Sequence, residues 1–229
     1  MTVERTLLHF PLDPFSRQAR LALGEKRLPY KEVVERFWEQ RREFLALNPS
    51  GLPPVLVEET PGGATVAVAE SRPILDYLED TAPDISLLPG TPVERAEARR
   101  LQQWFDRKFD FEVNGVLLHE KLEKRIMGLG SPDMRAIRAG WDALRFHLGY
   151  TEHLLERRDW LAGARLSLAD IAGAAHISVL DYFGDMPWRE FPATKTWYMK
   201  IKSRPCFRPL LQDRWPGIVP AGHYDDLDF

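Results

Sequence analysis

The stretch NPSGLPPVLVEETPGGATVAVAES, residues Asn48 to Ser71, decides the fold. Pro53-Pro54 stands directly before the apolar run Val55-Leu56-Val57, and a proline at a strand start either ends the pairing or holds a cis turn there; we read the turn. Thr60-Pro61-Gly62-Gly63 has the composition and spacing of a hairpin loop, and the alternating run Thr65-Val66-Ala67-Val68 follows it, so two strands make one hairpin. Glu70-Ser71 then opens the segment from Arg72 to Leu78, with Ser71 as helix N-cap and Pro73 in the first turn. The N–H groups of that helix start arrive beside a proline turn with accessible backbone, an arrangement suited to an extended peptide and its carboxylate.

Upstream, Thr6 to Phe10 reads as a strand, Pro11 to Pro14 breaks it, and Phe15 to Leu23 reads as a helix that closes near Gly24. Tyr30 to Val34 is a second strand, followed by a short helical piece around Glu39 to Leu47. The order β-α-β, short helix, β-β-α predicts a thioredoxin-like α/β domain over residues 1–81. Residues 82–92, rich in proline and turn formers, read as a linker.

Residues 93–214 predict an all-helical domain. Leu101, Trp104, Phe105, Phe109, Val113, Val116 and Leu117 recur at three and four on one long helix, and after the break at Gly128 to Pro132 a second stripe runs through Ile137, Trp141, Leu144, Leu148 and Leu155. Ser167 and Asp170 form a variant of the capping box before Ile171 to Leu180, a run with no polar face that predicts a buried central helix. His176 within it reads as a core histidine. Residues 215–229 are broken by proline and glycine, yet carry Trp215, Tyr224, Leu227 and Phe229 among aspartates. This is the composition of a segment that docks on a partner, or of a strap on its own domain.

With 229 residues, 44% of them hydrophobic, the chain can bury a large core, and a net charge of −3 gives no electrostatic case for nucleic acid. The lone Cys206 excludes an internal disulfide and a CxxC pair, and the six histidines are scattered without metal-ligand spacing. No segment reads as a leader or a membrane span, so the expectation is a cytoplasmic protein with no metal and no membrane insertion.

The run NPxGxxPxL, the hairpin and the Glu-Ser pair at the head of a helix resemble the glutathione-binding half of the cytosolic glutathione transferases. The box Ser167-Leu168-Ala169-Asp170 on a small-residue helix resembles their C-terminal domain, and the likeness extends to about Trp215. The resemblance implies that Pro53-Pro54 pairs with the cysteine of glutathione and that Glu70 and Ser71 hold its γ-glutamyl end; the alternative is that these residues serve only the fold. In serine-type members the thiol-activating hydroxyl would fall on position 13, where this chain has Asp13. An ionised carboxylate cannot donate a hydrogen bond, and its charge would raise the thiol pKa rather than lower it. Ser16 is the fallback donor, about a helical turn further on, while Asp13 reads as the N-cap of the first helix. Pro53 has no N–H to offer the ligand. No catalytic residue and no cofactor are therefore expected, with glutathione bound weakly or not at all.

The altered site and the acidic aromatic tail resemble, within that family, the glutathione-transferase-like members that bind the tubulin-like GTPase FtsZ at the bacterial division site. That resemblance implies a non-catalytic homodimer that binds FtsZ filaments and promotes constriction, with other division proteins as further partners. Trp38, in the charged segment Arg36 to Glu39, and Glu112 and Glu120 on the long helix are the filament-facing expectations; Asp225, Asp226 and Asp228 are those of the tail. The competing reading is an active glutathione transferase that conjugates glutathione to small apolar electrophiles.

Overall fold

The computed structural model describes residues 3–60 and 62–227. The chain divides into two compact units, the first running to Leu87 and taking in Pro205–Asp213 as well, the second holding Leu88–Arg204 and the segment from Arg214 onward. Sequence reading leaves residues 205–213 in the helical stretch, but here they are part of the first unit.

The first unit contains β1 (Glu4–His9), α1 (Pro14–Glu25), β2 (Lys31–Val34), α2 (Arg42–Leu47), β3 (Val55–Glu59), β4 (Thr65–Ala69) and α3 (Ser71–Thr81). The sheet order is β2-β1-β3-β4, with β1 and β2 parallel and the other two pairings antiparallel. A parallel pair needs a crossover, which α1 supplies, whereas the β3–β4 pair needs only a hairpin. Leu7, Leu21, Leu56, Ile74 and Leu78 are fully buried between sheet and helices, and each is worth about 1.5–3 kcal/mol relative to exposure. Arg17 and Arg20, also buried on α1, both donate to Asp213 of the 205–213 segment, at 3.1 and 2.8 Å.

The second unit opens with α4 (Pro92–Trp104), capped reciprocally: Glu94 N–H donates to Thr91 Oγ1, and Thr91 N–H donates to Glu94 Oε2. The helix continues through wide i→i+5 turns over Phe105–Asn114, then α5 (Gly115–Leu118), a second wide stretch over His119–Glu123, and α6 (Lys124–Met127). α7 (Met134–Leu155) packs back along it, burying Ile137, Leu144 and Leu148 as the spacing predicts. α8 (Leu168–Tyr182) is buried at every residue. At Gly173 a Cβ would stand 2.9 Å from both Leu161 and Phe105, so only glycine lets the flanking side chains approach this closely. α9 (Pro192–Lys202) follows, while α10 (Arg208–Leu211) belongs to the first unit.

Candidate functional site

Four connections of the first unit meet at one end of its sheet. The registers Leu8↔Val33, Leu8↔Val55 and Val55↔Ala69 put the ends of β1, β2 and β4 beside the start of β3. Residues 10–13, 35–41, 48–54 and 70 therefore share this end. Backbone bonds tie them together: Glu35 N–H donates to His9 O at 2.7 Å, and Glu70 N–H donates to Pro54 O at 2.8 Å. The second bond brings the proline turn and the Glu-Ser pair into contact.

The Pro53-Pro54 peptide is cis and both prolines are buried, while Leu52 just before them is 54% exposed. Glu70 is exposed, with φ at +70°, and occupies the N-cap position of α3. Ser71, predicted as the cap, is instead the first helical residue and is buried. The chain turns sharply from β4 into α3, and Glu70 makes that turn with a positive φ and an extended ψ of 148°.

Asp13 caps α1, accepting the Ser16 N–H at 2.7 Å. Ser16, the fallback thiol donor, is fully buried, and its hydroxyl oxygen accepts the Phe10 N–H at 3.1 Å. Burial leaves that hydroxyl no surface to present to a thiol, which corrects the fallback expectation.

Trp38 lies in a 3₁₀ turn, Phe37–Glu39, within the segment that reads as loop-like in sequence. Its ring stands edge-on to Phe10 and Phe37 at 5.6 and 5.2 Å, so one side is packed and the other remains at the surface. Glu35, missed in the sequence, is fully buried and accepts a paired contact from Arg41.

The two acidic positions of the long helix diverge. Glu112 is half-exposed, accepting from Lys108 and lying 2.6 Å from His147 Nε2; the lysine and then the histidine hold its carboxyl below the usual range. Glu120, expected to face a filament, is buried. It pairs with Lys124 at 2.7 Å and accepts the Asp133 N–H at 2.6 Å just before α7, and these contacts, the lysine first, lower its pKa. A carboxylate committed to fastening one helix to the next is a structural element. Glu120→Ala is expected to lower Tm by roughly 2–6 °C in a thermal melt, since the Asp133 N–H loses its acceptor.

The tail folds back as a strap in the second unit, up to the last described residue, Leu227. Tyr182 OH donates to Ile218 O, Ala221 N–H donates to Tyr182 O, and the fully buried Tyr224 meets the Tyr182 ring at 5.1 Å. Beneath it Asp181 gathers Trp188 Nε1, Tyr198 OH, the fully buried Lys202 ammonium and the ring of His223 from the strap itself. Asp225 and Asp226 are exposed, the former paired with Arg214 at 2.5 Å; Asp228 lies outside the described residues. His176 is a buried core residue, bonded to Asn114 and Asp106.

Among the described residues no three His, Cys, Asp or Glu side chains are grouped to hold a metal, and no helix is long and apolar enough to cross a membrane. The family models "Glutathione S-transferase, N-terminal domain" and "Glutathione S-transferase, C-terminal domain" match residues 14–81 and 142–205. The chain is 66% identical, over all of both chains, to FtsZ-localized protein A of Caulobacter vibrioides. A solved structure described as FzlA from C. crescentus is 66% identical and superposes with a TM-score of 0.96, covering 99% of this chain and 100% of that one. A glutathione S-transferase from Rhodospirillum rubrum is 48% identical with a TM-score of 0.93, over 98% and 100% of the two chains.

Proposed function

This chain belongs to the glutathione S-transferase family, and from that premise we propose that it is a non-catalytic member acting in bacterial cell division through FtsZ. The observation that carries the division role is likeness through the whole length, tail included, to a relative named FtsZ-localized protein A. The site supports the absence of turnover. Asp13 already serves as a helix cap, Ser16 is buried, and Pro53 supplies no N–H where a bound thiol peptide would seek one. The scaffold that would hold glutathione is retained, while the groups that would activate it are committed elsewhere.

In this reading the protein is a homodimer at the division site, with Trp38 and Glu112 toward the filament and the exposed Asp225 and Asp226 toward further division proteins. No resident cofactor takes part. Two measurements test the reading. Purified protein should pellet with FtsZ filaments, and calorimetric titration with millimolar glutathione should give no binding heat. Failure to pellet would remove the division role. Micromolar glutathione binding, about −8 kcal/mol, together with turnover of an aryl electrophile, would restore an active transferase.

The tail makes a separate prediction. Asp226→Lys should impair constriction in cells that depend on the variant while leaving filament pelleting unchanged, because it reverses an exposed charge of the tail. Asp13→Ser should leave constriction normal. Division at the normal rate with Asp226→Lys would take the tail out of the assignment.

A further inference from the structure

Three side chains on the wide turns of the long helix, Asp106, Asp110 and Asn114, meet at one imidazole, that of His176 on the buried α8. Asn114 and His176 are fully buried. Asn114 Nδ2 stands 2.9 Å from His176 Nδ1 and donates to the His176 carbonyl oxygen at 3.3 Å. A carbonyl only accepts, so this bond identifies the nitrogen end of the amide, and Nδ1 then accepts from it as well. The imidazole proton is left on Nε2, which donates to Asp106 Oδ1 at 3.2 Å.

Two acceptors are left over. Asp110 Oδ1 lies 3.7 Å from His176 Nδ1, beyond hydrogen-bond reach and facing an atom with no proton to give. Among the described residues the Asp110 carboxylate accepts no hydrogen bond. The Asn114 Oδ1 atom is buried and has no partner either. Burial holds the Asp110 carboxyl above its usual range; His176 opposes, an effect that needs a second proton on Nδ1, while Asp106 and Glu123 reinforce burial as like charges. Unpaired acceptors at this depth are costly, and protein interiors rarely leave two on side chains that meet at one ring nitrogen. The Asp110 side chain is 26% exposed, so the pair can be reached from solvent.

We infer that this site takes a primary ammonium group, that of a small amine or of a lysine side chain, with Asp110 as its counter-charge and Asn114 Oδ1 as a second acceptor. An ammonium carries three donors and no acceptor, and its bonds to a carboxylate are charge-assisted. A quaternary ammonium has the charge but no N–H, and would leave Asn114 Oδ1 unpaired. A divalent cation asks for more oxygen ligands at closer range, and among the described residues no three His, Cys, Asp or Glu side chains are grouped to hold one. The inference is independent of the FtsZ assignment.

The test is titration of the isotope-labelled, full-length protein with n-butylammonium chloride at constant ionic strength, followed by NMR. The Asp110 amide and the Asn114 side-chain NH2 should shift saturably, with half-saturation at about 10 mM or below. Tetramethylammonium should bind at least about tenfold more weakly, because it offers no donor. Asp110→Asn should weaken n-butylammonium binding at least about tenfold, through loss of the charge-assisted bond. The variant should fold, since this carboxylate accepts no hydrogen bond of the fold; if it does not, the comparison of the two cations on the wild-type protein decides alone. A short peptide with one lysine between glycines distinguishes the sources: tighter binding than n-butylammonium assigns the site to a partner protein's lysine, and equal or weaker binding assigns it to a free amine. No saturable shift by about 50 mM, equal binding of the two cations, or wild-type affinity in Asp110→Asn would overturn the inference. So would displacement of the amine by a lower concentration of calcium or magnesium, which would make this a metal site.

Discussion

Asp170→Ala is expected to lower stability by about 3–5 kcal/mol. The carboxylate is fully buried and accepts from Leu161 N–H and Ser167 N–H, both at 2.9 Å, and from Trp197 Nε1 at 2.8 Å. Alanine would strand these donors and the Ser167 hydroxyl, which also donates to the carboxylate at 3.0 Å. Urea unfolding followed by far-UV circular dichroism measures the loss; a change under about 1 kcal/mol would mean that water replaces the acceptor.

The same residue gives the protein a pH signature. Burial pushes the Asp170 carboxyl up to about 6 from 3.8, against its hydrogen bonds, which pull it down. Between these values the folded state binds the proton more tightly than the unfolded chain. Its contribution to stability is therefore complete below about pH 4, declines by roughly 3 kcal/mol as pH rises to about 6, and is constant beyond. Glu32, held down to about 2 by His9 and Arg20 against the opposing effect of burial, acts in the reverse sense: its contribution is present above about pH 4.5 and is lost toward pH 2. The difference between wild type and Asp170→Asn, measured from pH 4 to 7, isolates the first slope.

Asp181→Ala is expected to cost a similar amount, about 3–5 kcal/mol, for a different reason: it leaves the Lys202 ammonium buried without its counter-charge. Burial already depresses the Lys202 pKa, with Asp181 opposing. Because His223 also loses its partner, the strap should loosen, and hydrogen exchange over residues 218–224 should quicken well before global unfolding. Asp181→Ala/Lys202→Met removes both charges and should recover much of the stability without restoring strap protection. Equal recovery of both would show that His223 contributes nothing to holding the strap.

The sequence was most legible where local chemistry is self-contained. Pro53-Pro54, the hairpin, the apolar stripes of the long helices and the Ser167–Asp170 box each declare a structure within a few residues, and the order of elements followed. Asp13 could be read as a cap because its partner is three residues away. Glu120 could not be read as buried, since its acceptor role depends on Asp133 across a helix turn-around. Nor could Glu35, Asp181 or Asp213, whose partners come from distant positions. Aspartates in the tail look alike in sequence, yet the strap that carries them is fixed by Tyr224, an aromatic among acids with nothing local to show which side it faces.

The return of residues 205–213 to the first unit bears on how the chain is made. The two buried guanidiniums of α1 share a counter-ion in Asp213, 196 and 193 residues further along the chain. As the chain leaves the ribosome, the N-terminal unit can form its sheet early, with Arg20 paired to Glu32, but both buried arginines lack the Asp213 carboxylate until residues 205–213 emerge. The opening portion of the polypeptide therefore completes its fold only after the helical residues up to 204 have been made, and a product terminated before residues 205–213 would present an unfinished first unit to cellular quality control.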